Sequence, residues 1–270
     1  MINLQLPSRI ICLTEETTEW LYMLGQQDRI VGISGYTVRP PEARKDKPKI
    51  SAFLTAKIDQ ILALKPDCVF GFSDLQADIA SALIRQGIQV TIFNQRSIEE
   101  IFSMLYQVGA IVGQADEAVR QIELIKVHLK TIQLSAQTFN HRPKVYFEEW
   151  DSPYISGIQW VSELVELAGG KDCFPELAKQ SLAKNRMIHQ EKFIIERNPD
   201  IIIGSWCGKK FRPNQVMQRA GWENISAVKN HQIFEIKSPF ILQPGPAALT
   251  EGVEQIHQII LNWQNNQLMQ

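Results

Sequence analysis

The sequence contains no CxxC pair and no closely spaced histidines. Its 4 cysteines, Cys12, Cys68, Cys173 and Cys207, stand far apart, which excludes a zinc ribbon and a thioredoxin-type redox pair. Cys12 and Cys68 lie inside apolar, strand-like runs and are expected to be buried, unreactive thiols. The 5 histidines, His128, His141, His189, His231 and His257, include no pair at i, i+4 spacing. The patterns GxSxG, GxxxxGK[ST], HExxH and GxGxxG are absent. The usual local signatures of α/β-hydrolases, P-loop NTPases, zinc peptidases and dinucleotide binders are thereby missing. No apolar run approaches the roughly 18 residues of a membrane span. Charge of one sign is also missing: 28 Lys and Arg face 29 Asp and Glu, for a net charge of -1. That balance argues against a broad nucleic-acid face, which needs cations to displace the counterions of phosphate. Met1–Pro7 is too short for an export signal, so cytoplasmic and periplasmic locations both stand.

What is present is an ordinary globular composition, with 44% hydrophobic and 21% charged residues, enough apolar mass for a sizeable core. A length of 270 residues fits one large domain or two small ones. Short apolar runs alternate with helical patterns. Arg9–Leu13 (RIICL), Arg29–Ser34 (RIVGIS), Asp67–Phe72 (DCVFGF) and Gln89–Phe93 (QVTIF) read as strands. Thr14–Gly25 reads as a helix capped by Thr14 or Thr17, striped by Trp20, Leu21 and Leu24, and ended by Gly25. Ile58–Leu64 reads as a short helix stopped by Pro66, and the basic, proline-containing stretch Arg39–Lys49 as a solvated loop. Strands alternating with helices imply βαβ units and a largely parallel sheet.

One pattern recurs. Residues 61–71 read ILALKPDCVFG and residues 194–204 read IIERNPDIIIG: a helix end, Pro-Asp, then a buried strand closing on Gly. At a similar offset RIICLTEE (9–16) matches KVYFEEW (144–150), each a strand running into acidic residues. Two matches in register suggest two lobes of similar topology, although any two βαβ segments share part of this pattern. Between them Gln114–Phe139 has no Gly or Pro and repeats apolar residues at Val119, Ile122, Ile125, Leu129 and Ile132, which predicts a long helix. At 1.5 Å per residue it would be roughly 36 Å long. The expected organisation is an N-terminal α/β lobe over 1–113, a linking helix over 114–139 and a C-terminal α/β lobe over 140–270. In the last, Lys144–Phe147, Asp200–Gly204 and Gln232–Ile236 read as strands, Val161–Leu167 as a helix ended by Gly169 and Gly170, and Gly252–Trp263 as a final helix.

In open α/β sheets ligands bind at the loops that follow the carboxyl ends of the strands. Those positions hold Glu15, Tyr36, Phe53 and Phe72 in the first lobe. In the second they hold Glu149, Trp150, Tyr154, Trp206, Cys207, Phe211, Phe240 and Gln243. Aromatic rings offer large apolar area with fixed geometry, suited to a broad, flat ligand. Trp20 and Trp222 are expected in the core, whereas Trp150, Trp160 and Trp206 sit at strand ends or in loops and are candidates to line a cleft. Glu148 and Glu149, beside Trp150, could serve as an acid–base pair or hold a cation, the basis of an enzymatic alternative. The simpler reading has one carboxylate meet a ligand or a helix N-terminus while the other is solvated.

The order RIICLTEETTEWLYMLG, RIVGISGYTVRPP, ILALKPDCVFGF and then a long helix resembles the class III periplasmic binding proteins of ABC importers for cobalamin, haem and iron–siderophores. EEWDSPYISGIQWVSELVELAGG (148–170), WCGKKF (206–211) and PFILQPGPAALTEG (239–252) resemble its cobalamin-binding branch most. The resemblance implies two Rossmann-like α/β lobes with mostly parallel sheets joined by one long helix. It implies a monomer without catalysis or resident cofactor, gripping a cobalamin or another corrinoid between the lobes. It also implies an acidic residue on each lobe that docks on permease arginines. Asp78 matches this in the first lobe, and around Arg212–Arg219 the second has none. A cytoplasmic corrinoid carrier or sensor of the same fold is the alternative role, and haem and siderophores are the rival ligands.

Overall fold

The computed structural model describes residues 5–268. Met1–Leu4, part of the stretch read as too short for an export signal, lie outside the described residues. The chain forms two compact units: one is the chain up to Gln95 with Glu99–Leu124, the other Arg96–Ile98 with Ile125 onward.

The first unit is built on five parallel strands: β1 (Ile10–Cys12), β2 (Ile30–Ser34), β3 (Lys49–Ser51), β4 (Cys68–Phe72) and β5 (Gln89–Phe93), in the order β3-β2-β1-β4-β5. The connecting helices are α1 (Glu15–Met23), α2 (Pro41–Asp46), α3 (Ile58–Ala63) and α4 (Ala77–Ile84). α5 (Ile98–Ile111) and α6 (Ala115–Ala136) follow. Parallel strands covered on both faces read as continuous apolar runs, and β1 and β4 are buried at every residue. Trp20 is fully buried, and its indole N–H donates to the Leu105 carbonyl at 2.8 Å, fixing α1 to α5.

Two readings of this unit are corrected. The stretch Arg39–Lys49 is not a loop throughout, because α2 starts inside it with Pro41 in the first helical turn, where a missing N–H costs nothing. The long helix turns inward Ala118, Ile122, Ile125, Leu129 and Ile132, while Val119 is exposed. Ala118 takes the inner place because it packs on Gly109, where a Cβ would lie 2.4 Å from the Ala118 Cβ. α6 passes from the first unit to the second at Leu124–Ile125.

The second unit holds β6 (Lys144–Asp151), β7 (Tyr154–Ser156), β8 (Lys171–Asp172), β9 (Ile201–Gly204) and β10 (Ile233–Glu235). The order is β10-β9-β6-β7, with β8 also on β6; among the described strands of this unit β6–β7 is the antiparallel pair and the others are parallel. Its helices are α7 (Gln159–Leu167), α8 (Pro175–Ala178), α9 (Lys192–Arg197), α10 (Pro213–Met217), α11 (Ser226–Lys229), α12 (Ser238–Ile241) and α13 (Val253–Leu268). Its core includes Tyr146, Phe174, Ile202, Trp206, Phe211 and Trp222. The fold is thus α/β with two mostly parallel sheets. Among the described residues no helix is long and apolar enough to cross a membrane.

Candidate functional site

In each unit the residues singled out from the sequence gather at the carboxyl edge of the sheet. In the first, Glu15 opens α1 directly after β1. Thr14 caps that helix with extended backbone, but its hydroxyl donates to Glu16 Oε1 at 2.7 Å and accepts no helix N–H. Tyr36 follows β2 and is 53% exposed, and Phe53 follows β3. Phe72 ends β4 and is buried. Gln76, which the sequence reading missed, ties these loops together. Its Oε1 accepts the Phe72 N–H at 3.0 Å, and its Nε2 donates to the carbonyls of Leu13 and Phe53 at 3.3 and 3.1 Å. Burial lifts the Glu15 carboxyl to about 8, helped by Glu16 and Glu19, and burial lifts Glu16 to about 7. Asp78 is exposed in the first turn of α4.

In the second unit the geometry is set by ion pairs that sequence alone could not disclose. Arg219 reaches Glu148 in a fork, at 2.6 and 2.8 Å, and its guanidinium lies 4.8 Å from the Tyr154 ring centre and 4.5 Å from that of Trp222. Arg186 makes a second fork to Glu149, at 2.6 and 2.9 Å. Glu148 is fully buried, and burial pushes its carboxyl up while the Arg219 hydrogen bonds pull it down. The two carboxylates therefore have positive partners and do not form a free acid–base pair.

Trp206 is a further correction. It follows β9, as a cleft residue would, yet it is 4% exposed, because its indole N–H donates inward to Glu148 Oε1 at 3.1 Å. Phe211, 2% exposed, packs edge-on against it at 4.8 Å and belongs to the core. Trp160 is buried too, bonded through its indole N–H to the Ile241 carbonyl at 2.9 Å. Trp20 and Trp222 are core residues as expected.

Trp150 and Tyr154 remain partly exposed on the β6–β7 hairpin. Trp150 is braced by its bond to the Ser152 carbonyl at 2.9 Å, and Tyr154 by its hydroxyl bond to Glu191 at 2.8 Å. Lys209 bonds Asp151 at 2.5 Å and stands 4.7 Å from the Trp206 ring centre and 5.6 Å from that of Trp150. Phe240 on α12 and Gln243 just after it are half-buried. Cys207 is exposed, whereas Cys12, Cys68 and Cys173 are buried thiols pushed up to about 12 by burial. Among the described residues no group of three or more His, Cys, Asp or Glu could hold a metal ion.

Residues 10–240 match the model of the family described as periplasmic binding protein. The chain belongs to that family. Among curated relatives, an ABC transporter substrate-binding lipoprotein of Bacillus subtilis, YvrC, is 28% identical over 268 residues, covering 94% of this chain and 80% of the relative. The vitamin B12-binding protein of Vibrio cholerae is 26% identical over 252 residues, covering 92% and 87%. Among solved structures, an ABC transporter substrate-binding protein of Listeria monocytogenes superposes with a TM-score of 0.80 at 19% identity, covering 96% of this chain and 100% of the other. IsdE of Staphylococcus aureus, solved with heme, gives 0.77 at 20% identity, covering 93% and 98%. These structural likenesses show the two-lobed fold of such binding proteins. The family membership agrees with the resemblance read from the sequence.

Proposed function

We propose that this chain is the solute-binding component of an ABC importer and that its ligand is a corrinoid of the cobalamin type. The observation that carries the ligand reading is the set of partly exposed aromatics at the carboxyl edges: Tyr36 and Phe53 in the first unit, Trp150, Tyr154 and Phe240 in the second. Rings fixed by hydrogen bonds, as Trp150 and Tyr154 are, give flat apolar area at little cost in conformational freedom. The match to the Vibrio cholerae vitamin B12-binding protein supports the same reading.

Charge supports a neutral or weakly charged ligand. A tris-catechol siderophore is strongly anionic and needs uncompensated arginines. Here Arg39, Arg186 and Arg219 are paired with Glu19, Glu149 and Glu148. Haem is the second reading, and Tyr36 favours it: an exposed phenol at a strand end is a group that can ligate haem iron. The role is binding without catalysis. Asp78 is the candidate contact for a permease arginine, and loss of uptake with unchanged ligand affinity in Asp78→Ala would test it. A carrier or sensor inside the cell is the alternative role, and fractionation of the native protein separates the two.

Parallel calorimetric titrations with cyanocobalamin, haemin and a ferric siderophore test the ligand. One-to-one binding of cyanocobalamin alone is expected.

A further inference from the structure

The two units treat their paired glutamates in opposite ways. Glu148 and Glu149, at the end of β6, each receive a forked guanidinium. Glu15 and Glu16, after β1, are 6% and 1% exposed, yet Oε2 of each lacks a hydrogen-bond partner in the protein. The guanidinium groups around them are directed elsewhere. Arg39 bonds Glu19 at 2.8 Å, and Arg44 donates to the carbonyls of Gly35 and Thr37 at 2.8 and 3.1 Å.

Two hydroxyls on the same sheet edge share this condition. Thr37 Oγ1, after β2, and Ser51 Oγ, at the end of β3, are buried without a partner. β3, β2 and β1 are neighbours in the sheet, and Ser51 is held beside the β2 turn by the bond from the Gly35 N–H to its carbonyl at 2.7 Å. Four buried side-chain oxygens without protein partners thus lie along one edge of three adjacent strands. Folded proteins leave few such atoms unpaired, and a cluster of them marks a place for a hydrogen-bonding group.

Charge selects the group. Burial raises both carboxyls toward or above neutrality, so a proton is retained there near pH 7. A carboxylic acid presents a donor and an acceptor side by side, which complements the C=O and N–H of a primary carboxamide. We propose that Glu15 and Glu16, with the hydroxyls of Thr37 and Ser51, form a subsite for a primary carboxamide of the ligand. This deepens the proposed function, since a corrinoid carries carboxamide side chains. It rests on that reading for the whole ligand but not for the subsite itself.

The test uses propionamide on the full chain, followed by NMR of the glutamate side-chain carboxyl carbons, with propionate and propylammonium as controls. Saturable shifts at Glu15 and Glu16 with propionamide alone are expected. Glu15→Gln, which keeps a donor and an acceptor, should retain this binding, and Glu15→Ala should weaken it by about tenfold. The wild-type titration and Glu15→Gln decide the matter even where Glu15→Ala does not fold. No saturable shift with propionamide would overturn the subsite, as would stronger shifts with propylammonium, which would indicate a cation site. Cyanocobalamin binding with propionamide silent at both glutamates would leave the function and remove the subsite. Propionamide binding without cyanocobalamin binding would support the subsite and remove the ligand assignment.

Discussion

Asp67 and Asp200 do the same work in the two units. Each follows a proline, and each accepts the backbone N–H at the entry to the neighbouring first strand: Asp67 from Arg9 at 2.9 Å, Asp200 from Lys144 at 2.8 Å. The return bonds match as well, from the Asp67 N–H to the Arg9 carbonyl and from the Asp200 N–H to the Lys144 carbonyl. The basic side chains repeat the pattern. Arg9 donates to the Leu64 carbonyl at the end of α3, and Lys144 to the Arg197 carbonyl at the end of α9. The Pro-Asp repeat is therefore a repeated hydrogen-bond device that sets strand register. Asp67→Ala removes three bonds, including two from Ser8, and should destabilise the protein by about 1–3 kcal/mol in urea unfolding. Asp200→Ala should cost a similar or smaller amount. No change in either midpoint would contradict the assignment.

Arg219→Ala leaves the Glu148 carboxylate buried without its partner and should cost about 3–5 kcal/mol. The double variant Arg219→Met, Glu148→Met should recover much of that loss, because removing both charges also removes their desolvation. Equal stabilities for the single and double variants would show that the fork contributes little.

The buried glutamates of the first unit give a pH signature. Glu15 rises from an ordinary 4.5 to about 8, and Glu16 to about 7, chiefly through burial. Between these limits the folded chain holds protons that the unfolded chain has released, so this contribution is fully present below about 4.5 and is lost as pH rises through 8. The Tm of the wild type should fall relative to that of Glu15→Gln between pH 5 and pH 8.5, roughly pH units at which the carboxyl is neutral and then charged. Parallel curves for the two proteins would show that Glu15 ionises normally.

Much of the fold was legible because its signals are local. Gln89–Phe93 is a strand at the expected bounds, and the long helix and the two Pro-Asp strands lie where periodicity and turn chemistry place them. α2 was not, because prolines and lysines look like a loop unless Pro41 is recognised as a favourable first-turn residue. The site was legible as a set of strand ends but not as a set of exposures. Trp206 faces inward because of Glu148, 58 residues away, and Arg219 reaches Glu148 across 71 residues. No sequence window holds both partners. The acidic repeat did mark Glu15, Glu16, Glu148 and Glu149 together, but it could not tell which pair had found arginines.

Trp150 and Trp206 separate proposed ligand contact from packing. Trp150→Ala removes a partly exposed ring on a hairpin and should change stability little while weakening ligand binding by about tenfold or more. Trp206→Ala, by contrast, opens the core and should cost about 3–5 kcal/mol in stability. Unchanged affinity in Trp150→Ala, with the fold intact by circular dichroism, would remove that ring from the site.

The most direct measurement is calorimetric titration of the purified protein with cyanocobalamin, beside haemin and a ferric siderophore. The account predicts a one-to-one complex with cyanocobalamin and no comparable heat from the other two. Saturable binding of haemin alone, lost in Tyr36→Phe, would contradict the corrinoid reading and establish the haem one.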